Sequence, residues 1–192
     1  MSPRTTHQLQ QLREGKKQQI LQAALKVFAN QGYNGATIQM IAREAGIAKG
    51  LMYSYYESKE KLVEELILFG LEKASAFLNE NPVGQLSTKK DFEKSLRHML
   101  TLLRQETDFW RLYTMLTLQP NLAAKFRKEA MAFIEQYAGM YMAYFKKKKS
   151  PDPMAEAMLF GAVLDGLMFD LMVFPEEYPL EPVIGMILKK FA

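Results

Sequence analysis

The sequence predicts an all-α protein, with a small N-terminal head joined to a larger helical body. Three observations point there. Apolar residues recur at helical spacing in segment after segment, no run shows convincing period-two alternation, and prolines and glycines fall between the periodic stretches as punctuation. At 192 residues, 48% hydrophobic and 24% charged, the chain has a globular rather than disordered composition. It carries about nine helices and no internal repeat.

The elements follow in order. From Lys16 to Gln31 the residues Ile20, Leu21, Ala24, Leu25, Val27 and Phe28 form an apolar face, and Gly32 stops the first helix. Thr37 is placed to cap a short second helix, TIQMIAREA, whose Ile38, Ile41 and Ala42 face inward. Gly46 supplies the turn, and Ala48–Tyr55 make the third helix. Ser58 caps a long fourth helix running to about Asn79. After a turn-rich break at 81–87, helical patterns resume at 88–106, 108–118, 121–147, 153–173 and 183–191. The domains are therefore expected at 14–61 and 62–192.

Charge separates the two parts. Residues 1–61 hold nine Lys or Arg against four Asp or Glu, whereas residues 62–192 hold sixteen against seventeen. A basic head on a near-neutral body is the footprint of polyanion binding. There is no cysteine, so disulfides and thiolate metal sites are excluded. The N-terminus has no signal-peptide pattern, and Glu156, Asp165 and Asp170 interrupt the most apolar segment, 154–174, so no membrane span is expected. A cytoplasmic protein is the expectation. His7 and His98 lack metal-ligand spacing, and GxSxG, HExxH and Walker motifs are missing. No catalytic residue, metal or cofactor is assigned, and the protein is not expected to be an enzyme.

Two short helices joined at Ala45-Gly46-Ile47, behind a packing helix, make a helix-turn-helix. Its second helix would enter the DNA major groove with Ala48, Lys49, Gly50 and Leu51 toward the bases. Tyr53 and Tyr55 follow, where hydroxyls reach phosphates, and Lys59 adds a cation. Tyr56 is expected to wedge inward with its hydroxyl at the edge. Thr37 combines capping with phosphate contact. Arg4 and Arg13 are read as part of a solvated tail, and the KKKK run at 146–149 as a solvated helix end favoured by the helix dipole.

The run from Lys16 to Leu62, ILQAALKVFANQGYNGATIQMIAREAGIAKGLMYSYYESKEKL within it, resembles the DNA-binding domain of the tetracycline-repressor (TetR) family. Helix-Gly-Tyr, Thr, Ile-Ala, Ala-Gly, Lys-Gly, the aromatic cluster and Ser-Lys-Glu appear in order. The resemblance implies a three-helix head and a helical body that binds an effector and dimerises, and it carries DNA contacts to Thr37, Lys49, Gly50, Tyr53, Tyr55 and Lys59. Ala48 departs from it, standing where the family often has Ser or Thr. Leu51 offers only apolar contact.

The body holds the only Trp and most of the methionines. Much of that stripe is core, since Met fills irregular gaps. The resemblance implies an apolar effector cavity as well, to which Phe69, Met99, Leu103, Trp110, Tyr113, Phe133, Tyr137, Asp165 and Phe169 are assigned. Asp165 is either a buried polar handle or a satisfied structural carboxylate. The helix 153–173 is apolar nearly all round, so both faces need cover. Ala157, Gly161, Ala162 and Gly166 are read as a small-residue strip meeting a dimer mate, with helix 183–191 completing a four-helix interface. The expected function is a ligand-responsive, homodimeric transcriptional regulator, a repressor released from near-palindromic double-stranded DNA by a small apolar or aromatic effector. The alternative is a protein-interaction module of the same fold that has lost DNA binding.

Overall fold

The computed structural model describes residues 6–80 and 85–192, so Arg4 and the first part of the 81–87 break lie outside the described residues. Among the described residues there are ten helices and no strand: α1 (Thr6–Gly35), α2 (Ile38–Glu44), α3 (Lys49–Met52), α4 (Lys59–Glu80), α5 (Lys89–Gln105), α6 (Thr107–Thr117), α7 (Pro120–Lys125), α8 (Arg127–Lys147), α9 (Pro153–Val173) and α10 (Leu180–Phe191). The all-α class holds, with one helix more than expected. The extra one arises at Phe126, whose backbone (φ −104°, ψ 19°) divides the expected 121–147 helix into α7 and α8.

Three boundaries differ for physical reasons. α1 begins ten residues early, through a stretch whose Leu9 and Leu12 are exposed. Its Gln, Leu, Arg, Glu and Lys residues favour helix without burial. The helix breaks at Gly32 as expected, where φ of 71° is open to glycine. α3 is shorter than 48–55, because Tyr53 already serves as its C-cap and residues 53–55 form a turn. α10 starts at Leu180, with Pro182 inside the first turn, where a missing N–H costs nothing.

The chain divides into two compact units. The first runs to Gly70 and takes in Leu112–Lys125; the second comprises Leu71–Arg111 and Phe126–Ala192. The first unit is thus larger than the 14–61 head. Its centre is Ile20, Ala24, Phe28, Ile41, Met52, Leu62, Val63, Leu66 and Leu116, all essentially solvent-free. Two hydrogen-bond groups fasten 112–125 within it. The Tyr113 hydroxyl donates to the Ile67 carbonyl at 2.8 Å, with its ring lying where a Cβ on Gly70 would be. The Gln119 carboxamide accepts from the Tyr33 amide at 2.8 Å and donates to the Phe28 carbonyl at 3.3 Å, spanning the Gly32 kink.

In the second unit α5, α8, α9 and α10 pack around an aromatic centre of Phe92, Tyr141, Tyr144, Phe145, Phe160 and Phe191. Thr88 starts α5 with a capping box, its hydroxyl accepting from the Asp91 amide while Asp91 accepts from the Thr88 amide. α9 buries one stripe only: Ala157, Phe160, Leu164, Leu167 and Leu171. The small-residue strip therefore needs correction. Ala157 is 3% exposed and faces the core, whereas Ala162 and Gly166 are exposed and Gly161 is half-buried. Positions nine apart on a helix of 3.6 residues per turn lie about half a turn away from each other, so Ala157 and Gly166 point opposite ways. No helix among the described residues is long and apolar enough to cross a membrane.

Candidate nucleic-acid interface

Local chemistry shapes the helix-turn-helix. Thr37 Oγ1 accepts from the Met40 amide at 3.2 Å, capping α2. α2 ends where Ile47 N–H bonds the Ala42 carbonyl and Gly46 N–H bonds that of Arg43, with Gly46 at φ 63°. That pattern is a Schellman stop, and only glycine takes its left-handed position without cost. Gln19 of α1 donates to the Ala45 carbonyl at 2.8 Å and so fixes the turn against the packing helix. α3 then begins at Lys49, behind an N-cap, Ala48, that makes no side-chain cap bond.

This geometry leaves Ala48, Lys49, Gly50, Leu51 and Tyr53 exposed together, while Met52 between them is fully buried and anchors the helix. A Cβ placed on Gly50 would meet nothing within 4 Å, so the fold itself does not need a glycine there. Tyr55 is half-buried, and the Arg13 guanidinium lies 5.9 Å from its ring centroid. Arg13 thus belongs to α1 and covers Tyr55, in place of the solvated tail expected of it. Thr37, Gln39, Met40, Ala42, Arg43, Ile47 and Lys49 line one open concavity. Gln39 and Arg43 in that group were missed by sequence reasoning. Their signal was their spacing, four apart on the face of α2 away from Ile41.

Lys59 is placed differently from expectation. Its ammonium donates to the carbonyls of Tyr33 at 2.9 Å and Ala36 at 3.1 Å, and sits 4.5 Å from the Tyr33 ring centroid. It closes the end of α1, where unpaired carbonyls and the negative end of the helix dipole favour a cation. The Tyr33 hydroxyl donates to Glu60 at 3.1 Å. Burial, then that carboxylate, push the Tyr33 hydroxyl up, and Glu60 is held below the usual carboxylate range first by its own backbone N–H and then by the Tyr33 bond. Tyr56 points inward as expected, but its hydroxyl is enclosed instead of reaching the edge. Burial, and secondarily Glu65, raise its pKa.

The residues assigned to an effector cavity fall in both units. Phe69 is half-buried and Tyr113 buried in the first. In the second, Leu103 is in the core, and Met99, Trp110, Phe133 and Tyr137 pack half-buried against it. Tyr137 stacks on Phe133 at 6.2 Å and lies 5.0 Å from the Tyr141 ring. Burial drives its hydroxyl pKa well up. Two assignments need correction. Phe169 is 59% exposed and Asp165 is also exposed, both on the outer face of α9 and not inside the bundle. An apolar neighbourhood still raises the Asp165 carboxyl above 3.8 through desolvation. Among the described residues no three His, Cys, Asp or Glu side chains group as a metal site.

Residues 20–66 match the family model described as bacterial regulatory proteins, tetR family. The uncharacterized HTH-type transcriptional regulator YuxN of Bacillus subtilis is 34% identical over 95 residues, covering 49% of this chain and 32% of YuxN. A fatty acid metabolism regulator protein of B. subtilis is 35% identical over 78 residues, 40% of this chain and 39% of that protein. The chain thus spans well under half the length of these curated relatives. Among solved structures, FadR from B. subtilis in complex with stearoyl-CoA has a TM-score of 0.70 at 18% identity, covering 91% of this chain and 96% of that one. The fatty acid degradation regulator FadR from Bacillus halodurans has a TM-score of 0.68 at 21% identity, covering 92% and 95%. At these identities the structural likeness is one of fold, and it extends over the body as well as the head. The head of this chain, residues 20–66, thus matches the tetR family of bacterial regulatory proteins, and the whole chain shares its fold with these solved structures.

Proposed function

We propose that this protein is a homodimeric transcriptional regulator that binds a near-palindromic DNA site and leaves it when an effector with a long acyl chain occupies the body. The observation that carries the DNA half is the arrangement at α3. Lys49, Gly50, Leu51 and Tyr53 stand exposed on a helix pinned by Met52, beside a concavity that adds Gln39 and Arg43. A short helix held this firmly can enter the major groove as a rigid unit, while Lys and Tyr reach phosphates. Hydrogen-bonding base readout rests on Gln39 and Arg43, since Ala48 and Leu51 present no donors.

Dimerisation is supported by the outer face of α9 and α10. Met158, Leu159, Phe169, Val173 and Met186 are each 47–73% exposed. Apolar surface of that kind is covered by a partner, and a two-fold pairing gives two recognition helices for a palindrome. The effector class is supported by one curated relative, a fatty acid metabolism regulator protein, and by the stearoyl-CoA complex of a fold neighbour. The apolar, Met- and aromatic-rich body of this chain suits such a chain of methylenes. Linkage then requires only that the acyl ligand bind the DNA-free conformation better, by the factor with which it weakens DNA.

The test is a duplex selected from a random pool by this protein, titrated with it in the presence of long-chain acyl-CoA, free fatty acid or neither. A saturable loss of affinity with an acyl compound supports the reading. Tight binding unaffected by both compounds would refute the effector class while leaving the DNA reading intact.

A further inference from the structure

Three separate stretches of sequence bring lysines to one end of the second unit. Lys89 and Lys90 open α5, Lys146 to Lys149 close α8, and Lys189 and Lys190 close α10. Rings immediately inside them clamp the three helix ends together. Phe145 lies 6.2 Å from Phe92 and 6.2 Å from Phe191. Lys147 also reaches across to the start of α5, donating to Ser87 Oγ at 2.9 Å and the Leu86 carbonyl at 3.3 Å. Eight lysines thus share a pole of a unit whose Lys and Arg, fifteen in number, are matched by fifteen Asp and Glu. The acids closest in sequence are largely occupied: Asp91 in the Thr88 capping box, and Asp152 in capping α9.

A second observation is independent of charge. α8 ends in a Schellman stop, with Ser150 N–H on the Phe145 carbonyl and Lys149 N–H on that of Lys146. The left-handed position, φ 60°, is held by Lys149, the only described non-glycine residue at positive φ. Glycine adopts that conformation freely and an L-residue does so at a cost. A cation is therefore kept at the pole where local backbone energetics favour glycine.

We propose that this lysine pole is a second polyanion-binding surface that takes the phosphate backbone of double-stranded DNA, independently of α3. Every cation in it is lysine, a mobile point charge suited to phosphate and not to the bidentate reading of a base. The exposed residues between the lysines, Gln85, Ser87 and Thr88, are polar, so nothing there enters a lipid's acyl region. The choice of DNA as the polyanion rests on the function proposed above, because a head holding one duplex keeps DNA at high local concentration around the pole. A dimer would carry two such poles and could bridge duplex segments.

The test uses random-sequence duplex and fluorescence anisotropy at rising salt, with four full-length proteins. They are wild type, a head variant (Arg43→Ala with Lys49→Ala), a pole variant (Lys89→Gln, Lys90→Gln, Lys146→Gln, Lys148→Gln and Lys149→Gln), and the two combined. Lys147 is left in place because it holds Leu86 and Ser87, and circular dichroism confirms folding. The head variant should retain binding with a log–log salt slope of about −4, at roughly 0.9 per phosphate, and the combined variant should lose it. Residual binding unchanged by the five substitutions, or none in the head variant, overturns the proposal. So does pole-dependent capture by phosphatidylglycerol vesicles in place of duplex. If instead the head variant binds a selected operator as tightly as wild type, the head reading fails while the pole result stands on its own.

Discussion

Replacing Lys59 by Met separates a structural cation from a DNA contact. The substitution keeps the apolar stem and removes the ammonium, which now donates to the carbonyls of Tyr33 and Ala36. Ala36 is 1% exposed, so its carbonyl has little access to replacement water. Hydrogen bonds from a charged donor contribute about 1.5–3 kcal/mol net, and loss of a cation at a helix C-terminus adds roughly 0.5 kcal/mol. A destabilisation of about 2–3 kcal/mol follows, or roughly 5–10 °C in Tm for a chain of this length. Lys49→Ala is the comparison, because Lys49 is exposed on α3. Thermal melting and duplex titration at several salt concentrations read both variants. Lys59→Met should lower Tm and leave the salt slope unchanged. Lys49→Ala should leave Tm unchanged and reduce the slope by about 0.9. A Lys59→Met protein that melts like wild type but loses one unit of slope would refute the structural role and restore Lys59 as a phosphate contact.

Gly50→Ala should fold as well as wild type, since its Cβ meets open space, yet weaken binding of a selected duplex by tenfold or more if α3 approaches DNA closely; equal affinity would place the groove contact elsewhere. Gly70→Ala should destabilise the protein by about 2–3 kcal/mol in chemical denaturation, because its Cβ displaces the Tyr113 ring and breaks the bond to Ile67, and Tyr113→Leu in the same chain should recover part of the loss. Asp165 takes its proton more readily when folded than when unfolded, so the wild type loses stability as pH rises from about 3.8 through the raised folded value. Asp165→Asn should therefore be more stable than wild type at neutral pH and no more stable near pH 3; a constant difference across that range would remove the titration as its cause. Phe169→Glu should shift sedimentation from dimer toward monomer while helicity is kept, and an unchanged dimer would move the interface off α9.

The head was legible because its signals are local. Thr37, Gly46 and Ser58 act through bonds to residues three to five positions away, so the sequence around each carries the whole motif. Lys59 was not legible in this way, because its partners are 23 and 26 residues distant and a lysine at a helix start reads as a free charge. The Gln119 bridge to Phe28 and Tyr33 is further off still, and no pattern announces it. α9 shows a different obstacle. Its apolar residues run around the whole circumference, so periodicity does not say which stripe meets the core, and Ala157 and Gly166 share one small-residue pattern although they face opposite ways. The break at Phe126 lacks the glycine or proline that punctuates other helix ends. Convergence of the three lysine segments is a property of packing at Phe145 and has no counterpart along the chain.

The central claim is that α3 of two paired chains reads DNA, and selection of bound duplexes from a random pool tests it most directly. The account predicts enrichment of a near-palindrome whose half-sites lie about 10 bp, or a multiple of that, apart along the duplex. It also predicts that Lys49→Ala with Arg43→Ala abolishes the enrichment while the protein remains folded. Failure of the wild-type protein to enrich any sequence, or enrichment of the same sequence by that variant, would contradict it.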